Sequence, residues 1–356
     1  MNESSITITL ENLYLYNYLS YANFASYALL LTLGIKDPFL GKPVDPSQVK
    51  AGINDINNEI MRIIKNKEEE TEEKRRKKKR GGKTKNVRIG SNKLNDCFSR
   101  RKEKIITTTQ DYFLKEEDFD KTCTINTYCF MDFEVRELIR VFGGGGDELK
   151  KSAKSSLAVA KLALLGSELT WVGKVFGGNE DYLLFLDIDP SIKADVYPKV
   201  RDFFRRISRE LADEVSQVAK VVAPAAIVLT SLYNSGQNVK SVIRNGVIIH
   251  LVSDNSDTMF DLTRIMDFIW RLGLASHIST LAGNVSTSDI IIDLLNRVSQ
   301  AVYETANTGR LLPIYEYARY AFNKLEDENV VKSLDEGLVD ILYKTLYNLE
   351  HIRVRV

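Results

Sequence analysis

The chain has 356 residues, 44% of them hydrophobic and 27% charged, which is enough apolar content for one large core or two smaller ones. Its formal charge of +1 conceals a segregation: residues 74–104 hold 15 Lys or Arg against Asp96 and Glu103, a net +13, while the remainder carries 34 basic and 46 acidic residues, a net −12. Three irregularly spaced cysteines, Cys97, Cys123 and Cys129, exclude a disulfide framework, and an N-terminus whose only early charge is Glu3 lacks the basic start of a secretory signal; a reducing, cytoplasmic setting is expected.

Residues 6–10 alternate Ile and Thr and predict a short strand, followed by an uncharged, aromatic-rich helix within 12–35. That stretch is long enough to cross a bilayer core of about 30 Å. Its content of Asn17, Ser20, Asn23, Ser26 and five tyrosines fits a buried helix better than lipid, so no membrane partner is expected. Pro38 and Pro43 end the helix. Ile53, Ile56, Ile60, Ile63 and Ile64 then recur at helical spacing, predicting an amphipathic helix over 49–64. Beyond it come Glu68, Glu69, Glu70, Glu72 and Glu73, then seven consecutive basic residues, and then Gly81-Gly82. Residues 66–104 therefore read as a flexible basic insertion without an apolar face. β-Branched and aromatic clusters predict strands at 105–109 and within 122–134, with a helix at 134–142.

Gly143 to Gly146 mark the expected boundary between an N-terminal α+β domain, 1–142, and a mainly helical C-terminal domain, 147–356. The second half opens on a helix at 148–165. Two hairpins are expected: one between 169–176 and 182–188 across Gly177-Gly178-Asn179, the other at Asn245-Gly246 between Val242-Ile243 and 247–252. Further helices are placed at 197–222, 259–274, 289–305, 313–325 and 334–349, with capping boxes at Thr258/Asp261 and Ser286/Asp289. The fold class is α+β, predominantly α-helical, with small antiparallel sheet elements and a helical C-terminal bundle.

Among candidate functional residues the basic insertion comes first: Lys74, Arg75, Arg76, Lys77, Lys78, Lys79, Arg80, Lys83, Lys85, Arg88, Lys93, Arg100, Arg101 and Lys102. Clustered cations neutralise phosphates and release counterions, which gives strong, salt-sensitive, mostly sequence-independent affinity. Phe98 is the only aromatic within the stretch, so backbone contact fits it better than base readout. A solvated charge run, or a tail held to the acidic remainder of the chain, would look the same in sequence. A second basic face is expected on the 197–222 helix, where Arg201, Arg205 and Arg209 recur every four residues beside Arg206. Val200, Phe203, Phe204, Ile207, Leu211, Val215 and Val218 line the opposite side as core.

Other chemistries find weaker patterns. The apolar run ending Asp187-Ile188-Asp189-Pro190-Ser191 resembles the first motif of haloacid-dehalogenase-like phosphatases, in which paired carboxylates hold Mg²⁺. Pro190 and Ser191 stand where that family has Gly-Thr, and its downstream motifs are missing, so capping of the next helix is the simpler role. Gly82-Lys83-Thr84 matches only the end of a phosphate-binding loop, with Lys77 where a glycine belongs. His250, His277 and His351 are scattered, and the cysteines lack Cys-x-x-Cys pairs, so neither a metal nor another cofactor is expected.

The order of features resembles one family: the segment Leu13-Tyr14-Leu15-Tyr16-Asn17-Tyr18-Leu19, then Pro38-Phe39-Leu40-Gly41-Lys42-Pro43, a basic insertion, a hairpin-bearing middle and a helical C-terminus. It is similar to the large subunit of the archaeal subtype I-A CRISPR interference complex (Cascade). The resemblance implies a non-catalytic subunit of an RNA-guided antiviral complex, placed near the guide's 5′ end. Its implied partners are guide RNA, target DNA, the other subunits and a helicase-nuclease. No individual residue carries over, since no motif matches position by position. A Mg²⁺-dependent phosphoryl-transfer enzyme using Asp187 and Asp189, and a purely structural interaction protein, remain the alternatives.

Overall fold

The computed structural model describes residues 21–35, 46–78, 87, 89, 108–125, 153–175, 180–207, 211–236, 239, 246–252 and 258–350. The fold is α+β and predominantly α-helical, with small antiparallel sheet elements and a helical C-terminal bundle. Chain contacts divide it into two units, 1–171 and 172–356. The expected boundary at Gly143 to Gly146 lies outside the described residues. The strand and helix at 153–170, assigned by sequence to the second domain, belong with the first unit because that helix packs on the N-terminal one.

The first unit is built on α1 (Tyr21–Leu33), α2 (Pro46–Ala51), α3 (Ile53–Lys78), the strands β1 (Thr122–Ile125) and β2 (Ala153–Ser156), and α4 (Leu157–Thr170). The strand expected at 6–10 lies outside the described residues. Residues 23–31 of α1 are all buried, so Asn23, Ser26 and Tyr27, three of the groups that argued against lipid, sit inside protein; Asn17 and Ser20 lie outside the described residues. No described helix is long and apolar enough to cross a membrane.

α1 and α4 approach closely because their facing residues are small. A Cβ placed on Gly166 would lie 1.7 Å from the Phe24 carbonyl oxygen, so only glycine allows this crossing. α4 begins at Leu157 rather than 148 because residues 153–156 pair antiparallel with β1, from Thr122↔Ser156 to Ile125↔Ala153. The Ser156 side chain then accepts from the Val159 N–H at 3.2 Å and caps the helix. Residues 108–121 are 3₁₀ turns rather than a continuation of a strand from 105, and they are pinned from both sides. Lys161 on α4 donates to Asp118 Oδ2 at 2.7 Å and to the Phe113 carbonyl at 2.8 Å, with both charged side chains buried. The Asn57 amide on α3 both donates to and accepts from the Leu114 backbone, at 2.9 and 2.8 Å.

In the second unit a four-stranded sheet runs in the order β3 (Trp171–Val175), β4 (Glu180–Phe185), β5 (Val247–Val252), β6 (Thr258–Asp261). β4 and β5 are antiparallel, Glu180↔Val252 to Phe185↔Val247, and so are β5 and β6. β5 is thus paired on both sides; Val242-Ile243, expected as its hairpin partner across Asn245-Gly246, lie outside the described residues. Residues 182–186 are fully buried without alternation, as in a strand covered on both faces.

The helices are α5 (Pro190–Ile207), α6 (Ala219–Asn234), α7 (Leu262–Arg271), α8 (Ala275–Gly283), α9 (Asp289–Thr308), α10 (Leu312–Leu325), α11 (Glu328–Ser333) and α12 (Glu336–Glu350). α6 touches α5, α7, α8 and α9 and is buried almost throughout. The single helix expected at 197–222 is therefore two. Asn296 of α9 fixes the break by accepting from the Ser216 N–H at 2.9 Å and donating to the Glu214 carbonyl at 2.7 Å. Two expected caps move. Asp261, rather than Thr258, caps α7 through the Thr263 N–H, because 258–261 is a strand. Ser288, rather than Ser286, caps α9 through the Ile290 N–H.

Candidate nucleic-acid interface

α3 is rooted in the first unit by Ile56, Ile60, Ile63 and Ile64, all buried, and by Lys67, which pairs with Glu168 at 2.6 Å. From Glu68 to Glu72 every side chain is exposed. The helix nonetheless continues to Lys78, so Lys74, Arg75, Arg76, Lys77 and Lys78 lie on helical backbone and not on an arm starting at 66. The eleven residue-to-residue steps from Lys67 to Lys78 rise about 16 Å. An apolar face is not needed for this extension. Glu, Lys and Arg are strong helix formers, and by sequence spacing Glu70–Lys74, Glu72–Arg76 and Glu73–Lys77 are i,i+4 pairs with the acid first, the favourable orientation. Lys79, Arg80, Lys83, Lys85, Arg88, Lys93, Arg100, Arg101 and Lys102 lie outside the described residues. Within the same stretch Ile89 is buried, at 1% exposure, so the insertion is not solvated throughout.

The second expected basic face is smaller than its sequence. Arg201 and Arg205 sit one turn apart on α5, the first half-buried and the second 72% exposed at its side chain. Asp202 lies between them, 3.8 Å from Arg205 and 2.7 Å from Arg206. Arg206 also donates to the Gly283 carbonyl at the end of α8, a tie between helices. Arg209 lies outside the described residues. The buried side of α5 holds Val200, Phe203, Phe204 and Ile207 as expected, with Tyr182 stacked on Phe204 at 4.5 Å. Tyr197 donates to the Leu184 carbonyl at 3.0 Å, and its burial holds the phenol above the usual range against the lowering pull of Arg201.

The remaining candidates resolve into structural contacts. Asp189 Oδ1 accepts from both the N–H and the hydroxyl of Ser191, at 2.9 and 2.7 Å, which is the helix cap that its position implies. His250 stacks on Tyr182 and contacts Gln217 at 3.0 Å. His277 is buried among α8, α10 and α12, with Nδ1 2.7 Å from Thr345 Oγ1 and Nε2 bonded to the Tyr317 hydroxyl. Burial pushes its pKa down to about 3. Among the described residues no three His, Cys, Asp or Glu side chains come together to hold a metal. Cys123 is buried, while Cys97, Cys129, His351 and Gly82-Lys83-Thr84 lie outside the described residues.

One feature was not anticipated from sequence. Phe322 on α10 and Tyr343, Lys344 and Tyr347 on α12 line a cleft of about 490 Å³. Sequence places both helices without assigning their faces, since an exposed aromatic and a buried one follow the same helical spacing. No protein-family model, curated protein or solved structure matches this chain.

Proposed function

We propose that the chain is a non-catalytic nucleic-acid-binding protein that meets the phosphate backbone through residues 74–104. The observation that carries this reading is the start of the +13 stretch on α3: a helix seated in the first unit extends into exposed sequence and bears the first five cations. A helical mount holds these cations at a fixed rise from the core, which lowers the ordering cost of binding compared with a free tail. Contacts of this kind are sequence-independent. Recognition of a particular sequence is then delegated elsewhere, as it is in complexes where guide pairing reads the target.

The resemblance to the large subunit of the subtype I-A interference complex narrows the proposal. In that setting the partners are guide RNA, target DNA, sister subunits and a helicase-nuclease. The test is fluorescence anisotropy of the intact chain with labelled RNA, single-stranded DNA and duplex, against a variant in which the seven residues from Lys74 to Arg80 are replaced by Gln. Substitution is preferable to excision because the stretch contains the buried Ile89. Loss of most affinity for all three ligands is expected; undiminished affinity overturns the proposal.

A further inference from the structure

The far end of α3 carries a basic position on every side of its axis. An α-helix advances about 100° and about 1.5 Å per residue. Counted from Lys74, the positions of Arg75, Arg76, Lys77 and Lys78 therefore stand at about 100°, 200°, 300° and 40° around the axis, with no gap wider than about 100°. Arg76 lies nearly opposite Lys78, and Arg75 nearly opposite Lys77. Below this ring the five consecutive residues from Glu68 to Glu72 are all exposed, and four of them are glutamates. Five residues exceed one turn, so no side of the helix is covered where the acids stand.

This order of charges selects the shape of the partner. A flat or convex phosphate surface meets a helix from one side and reaches only the basic positions on that side. A lengthwise approach would also lay the glutamates against phosphate, which repels them. A groove with a phosphate wall on each side meets the whole ring, provided the helix enters end first. The major groove of B-form DNA is about 12 Å wide and about 8.5 Å deep, and it admits a helix of about 10–12 Å diameter. Lys74 to Lys78 spans four steps, about 6 Å, which fits within that depth, and Glu72 lies about 9 Å behind Lys78, at the rim. Double-stranded RNA has a deep and narrow major groove that gives no such entry. Single strands are held largely by stacking on aromatic side chains, and α3 has none.

We infer that the basic ring of α3 enters the major groove of duplex DNA end first, with phosphates of both strands taking the cations and the glutamates behind the ring limiting the depth of entry. The inference rests on the nucleic-acid reading above and commits its helical mount to one partner.

The experiment titrates the intact chain by fluorescence anisotropy against two duplexes of one sequence, DNA and RNA, over a range of salt. DNA is expected to bind about tenfold or more tightly than RNA at about 0.1 M salt, since each further phosphate contact multiplies affinity. Arg75→Gln, Arg76→Gln, Lys77→Gln and Lys78→Gln should each reduce the slope of log affinity for DNA against log salt by about 0.9, whichever side of the helix carries the position. Thr71→Pro alters no charge, but its ring would clash with the Lys67 carbonyl that the Thr71 hydroxyl now contacts, breaking the helix ahead of the ring. It should abolish the preference for DNA while salt-sensitive affinity for both duplexes remains, whereas Thr71→Ala keeps the preference. A one-sided pattern, in which only one of Arg76 and Lys78 and only one of Arg75 and Lys77 matters, overturns the inference. So does a preference for DNA that survives Thr71→Pro or is missing from the intact chain. In those cases loss of binding on replacing Lys74 to Arg80 by Gln leaves the functional proposal standing without the groove. A chain that binds neither duplex overturns both.

Discussion

Acid should destabilise the C-terminal bundle through His277, and the size of the effect follows from its surroundings. Its hydrogen bonds have one self-consistent direction: the Tyr317 hydroxyl donates to Nε2, Nδ1–H donates to Thr345 Oγ1, and the Thr345 hydroxyl donates to a carbonyl of its own helix, Ile341 or Leu342, at 3.0 or 2.9 Å. The ring is therefore neutral and satisfied, and a proton on Nε2 would displace the only donor aimed at it. With the folded pKa pushed down to about 3 from the ordinary 6.5 of an imidazole, protons bind the unfolded chain first. Stability is then complete above about pH 6.5 and falls progressively as pH drops toward 3, by about 2 kcal/mol at about pH 5. Urea denaturation monitored by the fluorescence of Trp270, between about pH 7.5 and about pH 5, measures the change, with His277→Phe as the reference that cannot titrate. The variant starts less stable because the Tyr317 hydroxyl loses its acceptor, yet its pH dependence should be shallower by that same margin. Equal acid losses in wild type and His277→Phe would refute the reasoning.

Other consequences are local. Gly166→Ala should destabilise by about 2 kcal/mol or more, because backbone stands where the methyl group must go, whereas Gly283→Ala at the end of α8, with nothing within 4 Å of its Cβ, should be neutral or stabilising by up to about 1 kcal/mol; thermal melts of both variants check the pair. Lys161→Met leaves the Asp118 carboxylate buried and uncompensated and should cost about 3–5 kcal/mol, with part of the loss recovered in Lys161→Met/Asp118→Leu; chemical denaturation of the single and double variants measures this. Asp189→Ala should cost about 1 kcal/mol through the lost cap on α5, with or without Mg²⁺ present; a loss that appears only with Mg²⁺ would contradict the capping role.

Periodicity made the fold class legible, along with most of the helices of the bundle: the apolar faces of α5, α9 and α10 follow helical spacing, and on α5 Val200, Phe203, Phe204 and Ile207 are buried where expected. α6 was hidden for the opposite reason. Its run from Val221 to Leu229 is apolar on every side and interrupted by Pro224, so it offers no period to detect. The far end of α3 escaped because helix there depends on propensity and charge spacing, and the loss of an apolar face was read as the end of the helix. Of the candidate interface, sequence located the cations but not their mount. It also overstated the face on α5, since only a structure shows Arg206 tied to Asp202 and to the Gly283 carbonyl. The cleft at Tyr347 was illegible because exposure has no signature in helical spacing.

The most direct test of the phosphate-binding account is the salt dependence of duplex affinity for the intact chain and for the variant with Gln at the seven positions from Lys74 to Arg80. The account predicts a steep negative slope of log affinity against log salt for the intact chain, of about 0.9 for each phosphate neutralised, and a slope several units shallower for the variant. Identical slopes for the two proteins would contradict it.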